Sequence, residues 1–212
     1  MSINAVGDMS FANSGTILND GSTRSVSLSV TNGGITATNS GTIAQGISAS
    51  ATNYSYYNTP EPAAPQPLKI ALTNTGTIGT TLSDGRAAVF LQLDDSRGVG
   101  GSIQFDNSGT VTQGVNAYAS RSYGVAAGAD TVQPLSIALT NSGSITATAD
   151  YRSAASLGID DYTTAGGSIR VDNSGTIDAS GVGSSAVDAW FYTGTGSTGA
   201  AQTFTITNSG TI

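Results

Sequence analysis

The sequence predicts an all-β chain, a parallel β-helix or single-stranded solenoid of about seven coils of roughly 33 residues, each with three short strands. Three observations predict it. A phrase of the form Asn-Ser-Gly-Thr-Ile recurs seven times, opening at Asn13, Asn39, Asn74, Asn107, Asn141, Asn173 and Asn208, at intervals of 26, 35, 33, 34, 32 and 35 residues. Around each copy, apolar and polar residues alternate with a period of two, the pattern of a strand with one buried face. The third observation is composition: 28 glycines, abundant Thr, Val and Ile, and no sustained period of 3.6, which disfavours helical repeats.

The first strand of each unit precedes the phrase. Four residues before the asparagine stand Met9, Ile35, Ile70, Ile103, Ile137, Ile169 and Phe204, and two before it stand Phe11, Ala37, Leu72, Phe105, Leu139, Val171 and Ile206. Polar neighbours such as Ser136 and Thr140 flank them. The phrase itself is a corner, where glycine is expected to supply the backbone freedom of a tight bend. An apolar column, Ile17, Ile43, Ile78, Val111, Ile145, Ile177 and Ile212, then opens a second strand. About fifteen residues later a third apolar run appears in most units. Its members are Ala88–Leu91, Val125–Ala127, Leu157–Ile159 and Val187–Trp190. Return to the same phrase closes one coil; a β-propeller blade needs four antiparallel strands, for which this period is short.

Coils rise about 4.8 Å apart, so equivalent residues stack into columns. The seven asparagines are thereby expected to form a structural ladder of buried amides, acceptable only where every member is satisfied. The threonine column after each glycine has no regular second file two residues on, so it is read as strand propensity and not as an ice-binding lattice.

Seven basic and fourteen acidic residues give a net charge of −7, and only 10% of residues are charged. That balance, with arginines scattered singly, argues against nucleic acid and anionic membranes as partners. The chain has neither Cys nor His, which removes disulfides, thiolate or imidazole metal sites and imidazole bases. No cofactor is expected. No apolar run reaches transmembrane length, and residues 1–17 carry no signal-peptide pattern. Both ends fall within the repeat, so the expectation is one β-helical domain, residues 1–212, cut from a longer secreted protein.

The stretch Ile137 to Ile145, Ile-Ala-Leu-Thr-Asn-Ser-Gly-Ser-Ile, with its variable loop and the next such phrase, resembles the passenger region of bacterial autotransporters. The resemblance spans essentially the whole chain. Filamentous-haemagglutinin-like adhesins have similar phrases in shorter, more uniform repeats. The resemblance implies a right-handed β-helix, secretion to the surface of a Gram-negative bacterium, and a role in adhesion, aggregation or biofilm contacts. It also implies an outer-membrane barrel in the parent protein, which these residues lack. They also show no globular insert of the kind that carries protease activity in some relatives.

Recognition is expected where the repeat is broken. Residues 53–67 hold Tyr54, Tyr56 and Tyr57 among four of the five prolines, a stiff projecting loop with amphipathic contact area, or else a cover for the flank of the coil. A second cluster, Trp190, Phe191 and Tyr192, either fills core or exposes rings beside Tyr162 or Tyr151 to stack on a sugar or partner. The pairs Asp94-Asp95 and Asp160-Asp161 invite a glycosidase reading, but neighbours on a strand point to opposite faces and no clustered Lys, Arg or His completes an acid-sugar site. Calcium at these pairs lacks the glycine-aspartate repeat of a calcium-binding roll. The expected function is that of a non-enzymatic, adhesive rod whose partner is a cell-surface protein, a glycan or a second copy. A self-assembling filament subunit and a polysaccharide-degrading enzyme stand as alternatives.

Overall fold

A computed structural model of the chain describes residues 1–18, 23–53, 66–80, 86–121, 132–163, 165–193 and 201–212. Every strand pairing in it is parallel, and every strand pairs with its counterpart one coil away. In chain order a coil consists of a strand of the first sheet, a strand of the second sheet, the asparagine corner and a short strand of the third sheet.

The first sheet stacks Ser2–Val6, Val26–Thr31, Ile47–Thr52, Val89–Asp94, Val115–Arg121, Ala155–Asp161 and Val187–Thr193, one from each of coils one to seven. The second stacks Met9–Asn13, Gly34–Asn39, Leu68–Asn74, Gly101–Asn107, Leu135–Asn141, Gly167–Asn173 and Gln202–Asn208. The third runs from Thr16–Ile17 to Thr176–Ala179 and is extended by a bridge between Thr176 and Thr211. This is the right-handed parallel β-helix.

Inward residues of the three sheets meet in one apolar core that runs along the axis. Ile70, Ile103, Ile137 and Ile169 stand in one register column, with Leu72, Phe105, Leu139 and Val171 in the next, and all are buried. Each coil buries its apolar side chains on its two neighbours, so end coils lack half their cover. Phe204 and Ile206 of the last coil occupy these same columns yet remain 47% and 43% exposed.

The asparagine column forms a continuous amide ladder. Each Nδ2 donates to the Oδ1 of the asparagine one coil on, at 2.7–2.8 Å from Asn13 through Asn208. The same nitrogen donates to the carbonyl of the glycine two residues later, at 3.1–3.3 Å. The backbone carbonyl of each asparagine from Asn13 to Asn173 accepts two N–H groups from the following corner, as Asn74 does from Ser108 and Gly109. Buried amide groups are thus satisfied within the stack.

Two expectations need correction. The corner glycines are not there for backbone freedom, because none of them has a positive φ. They are there for space: a Cβ on Gly41, Gly76, Gly109, Gly143, Gly175 or Gly210 would overlap the carbonyl oxygen of the corner glycine one coil before. The third apolar run of the fifth coil is not Val125–Ala127, which lies outside the described residues, but Val115–Arg121. Its inward side chains are Val115, Ala117 and Ala119, and alanine gives a weaker apolar signal than the run downstream.

Candidate functional site

Alternation along the first sheet sends every second side chain outward, and register aligns these into columns across the coils. One column contains Gln92, Tyr118, Gly158 and Trp190, and the next contains Asp94, Ser120, Asp160 and Tyr192. Trp190 and Tyr192 are exposed, whereas Phe191 between them packs against the core. The indole lies over Gly158, where a Cβ would overlap it, and meets Tyr118 with ring centroids 5.7 Å apart. Tyr192 meets Tyr162 at 5.4 Å. Four aromatic rings therefore form a surface on the outer face of the last three coils.

Asp160 sits within that surface and accepts the Tyr118 hydroxyl at 2.5 Å. Burial, followed by this bond to a carboxylate, raises the Tyr118 pKa above its ordinary 10.0, because both disfavour the phenolate. The phenol is a fixed donor and its ring a fixed platform. Tyr151 does not join these rings; it stands on the loop before the sixth coil. Tyr54, Tyr56 and Tyr57 lie outside the described residues.

The second aspartate of each pair has a different fate. Asp95, Arg121 and Asp161 share one register column with Asn53, and all four are fully or almost fully buried. Arg121 donates through Nε and Nη2 to Asp95 Oδ2, at 3.1 and 2.9 Å. Its Nη1 reaches both oxygens of Asp161 at 3.3 Å. Asn53 Nδ2 and the N–H groups of Val99 and Gly100 also donate to Asp95. The N–H and hydroxyl of Thr163 donate to Asp161. The arginine that the sequence reading did not associate with these pairs joins them, and the result is a closed ion triad inside the corner between first and second sheets. A carboxylate held this way has its lone pairs occupied and no solvent at hand.

A third feature lies at the start of the first sheet. Loops entering the second, fourth and sixth coils bring Arg24, Arg86 and Arg152 around one cavity of about 420 Å³, lined also by Phe90, Gln113, Tyr151 and Asp188. Arg24 donates to the Ala87 carbonyl at 3.1 Å, and its guanidinium carbon lies 5.0 Å from the Phe90 ring centroid. A second cavity, of about 390 Å³, shares Arg24 and Arg86 and extends over Ser2, Ser27 and Ser48. The expectation of singly scattered arginines therefore fails. They are 62 and 66 residues apart in sequence (86 − 24 and 152 − 86), and only the coil stacking assembles them. The signal in the sequence was loop length. The third-to-first-sheet connections before the second, fourth, sixth and seventh coils are longer than those before the third and fifth.

No family model, curated protein or solved structure matches the chain.

Proposed function

We propose that the chain is an adhesive rod: a β-helical segment of a surface-exposed bacterial protein that contacts cells or glycans through the outer face of its first sheet. The observation that carries the reading is the aromatic surface of Tyr118, Tyr162, Trp190 and Tyr192, with two rings partly exposed on a backbone fixed by parallel pairing. Rigid aromatic side chains give contact area at low entropic cost, and interfaces concentrate their affinity in them. The passenger-like repeat phrase supports export to the surface of a Gram-negative cell, with the parent's barrel as anchor. Replacing Trp190→Ala together with Tyr192→Ala should lower adhesion of the purified chain to bacterial or epithelial cells, with the far-ultraviolet spectrum unchanged. Wild-type adhesion by a folded double variant sinks the reading.

A further inference from the structure

We propose that the aromatic surface around Asp160 seats an arginine side chain of a partner protein, its guanidinium lying flat on the exposed rings beside a half-buried carboxylate; this rests on the adhesive reading and names its ligand. The rings supply the seat. Trp190 and Tyr192 are 40% and 49% exposed and stand two residues apart on the outward face of one strand. A cation over the face of a phenol or, best of all, an indole is attracted by the negative π-face of the ring. The chain makes such a contact once within itself, on the same sheet: the Arg24 guanidinium carbon lies 5.0 Å from the centroid of the outward-facing Phe90 ring.

Charge selects a cation for that seat. Asp160 accepts the Tyr118 hydroxyl through Oδ2, while its Oδ1 is buried with no hydrogen-bond partner among the described residues. A carboxylate placed in this way carries a charge that neither water nor a second donor offsets, a costly state that a nearby cation relieves. Directly behind it, the triad of Asp95, Arg121 and Asp161 sets two carboxylates against one guanidinium and adds to the negative field. Neither of the two outward columns that carry the rings contains Lys or Arg in any coil. The arginine-lined cavity, which includes Asp188, lies at the other end of these strands. Ala155 and Asp160 are five residues apart (160 − 155), about 16 Å, against a screening length of about 8 Å at physiological salt.

Other occupants match these features less well. A neutral sugar can stack on the rings, but Asp160 Oδ1 lies under the surface, out of reach of a ligand hydroxyl, whereas its charge acts through space. A trimethylammonium group is held where rings enclose it as a cage. Here Tyr118 with Trp190 and Tyr162 with Tyr192 form two tilted pairs, 34° and 59° between planes, on an open sheet face. The ammonium of lysine is a compact, strongly hydrated point charge, ill suited to lying on a ring. Arginine's guanidinium is planar and weakly hydrated, so it stacks on an aromatic face and keeps its edge donors for oxygens at the rim. Parallel pairing of Val187–Thr193 with Ala155–Asp161 fixes the backbone beneath the rings, so little ordering is left for binding to impose.

Trp190 is the only tryptophan of the chain, so its fluorescence reports on the seat directly. The test titrates the purified chain with a capped Gly-Gly-Arg-Gly-Gly peptide, with the same peptide carrying lysine or citrulline, the uncharged isostere of arginine, and with dextran and phosphocholine. The arginine peptide should change the Trp190 emission saturably, with an affinity that falls as salt rises. The citrulline peptide should bind about tenfold more weakly, and the lysine peptide should fall between them. Asp160→Asn keeps an acceptor for the Tyr118 hydroxyl and removes the charge, so it should weaken the arginine peptide by about tenfold with the far-ultraviolet spectrum unchanged. The citrulline comparison uses the wild-type chain and decides the matter even where the variant fails to fold. No binding of the arginine peptide, no preference for it over lysine or citrulline, or tighter binding of dextran or phosphocholine overturns the proposal. Wild-type affinity in a folded Asp160→Asn chain does the same. If that variant adheres to cells normally while Trp190→Ala with Tyr192→Ala does not, this inference falls and the adhesive reading stands. If both variants adhere normally, both fall.

Discussion

Gly109 and Gly15 both follow Asn-Ser and precede Thr, yet the two occupy different environments. A Cβ on Gly109 would overlap the Gly76 carbonyl oxygen, whereas nothing lies within 4 Å of a Cβ on Gly15. Alanine at Gly109 must therefore push two coils apart and stretch the hydrogen bonds from Ser108 and Gly109 to the Asn74 carbonyl. We expect Gly109→Ala to cost about 2–3 kcal/mol, the range of overpacked interiors, and Gly15→Ala to cost much less. Denaturant unfolding of the two variants checks it; equal losses would mean that glycine acts through its backbone freedom after all. The occurrence of glycine was legible in the sequence, but its reason was not, because the conflict lies between residues 33 positions apart (109 − 76). The same holds for Gly158, whose missing side chain makes room for an indole 32 positions on (190 − 158).

At the scale of strands, register decides which residues meet. The second-sheet strands were legible because each carries apolar residues at fixed offsets from a recurring phrase. Val115–Arg121 was not, because its inward residues include Ala117 and Ala119 and no phrase anchors it. Missing that strand hid Arg121 at its end, and with it the partner of Asp95 and Asp161. The triad explains why these charges tolerate burial: each carboxylate receives the guanidinium and at least two further donors. Arg121→Met would leave two uncompensated carboxylates at fully buried positions. A loss of about 3–5 kcal/mol is expected. Neutralising the column with Asp95→Asn and Asp161→Asn in the same chain should recover much of it, since amides can bond along the stack as the asparagine ladder does. Unfolding free energies of the single and triple variants measure this. No recovery would mean that Arg121 stabilises through packing of its stem and not through charge.

The whole molecule is a one-dimensional array. Sheet contacts join each coil only to the next, so stability is expected to be a sum of coil and neighbour terms. The periodicity of the sequence revealed this architecture, but the recognition face was only half visible. Trp190 and Tyr192 stood out as rare aromatic residues, while their meeting with Tyr118 and Asp160 needed the axial stacking that converts distance in sequence into coil rises. An array of this kind opens from its ends, where Asn208 is exposed and the apolar columns lack cover, whereas Asn74, Asn107 and Asn141 are enclosed on both sides. Amide exchange should therefore be slowest in the strands Leu68–Asn74, Gly101–Asn107 and Leu135–Asn141 and fastest in Ser2–Val6 and Gln202–Asn208. Asn107→Ala breaks the ladder at its centre, removing the donor to Asn141 Oδ1 and the acceptor for Asn74 Nδ2, at a cost of about 1–3 kcal/mol for each group left buried and unpaired. Asn208→Ala removes one partner at an exposed end and should cost a fraction of that. Exchange measured on both variants separates the outcomes. The central break should accelerate exchange on both sides of the fourth coil, and the terminal one should affect only the last coil; uniform acceleration in both would show a single cooperative unit instead of a chain of neighbours.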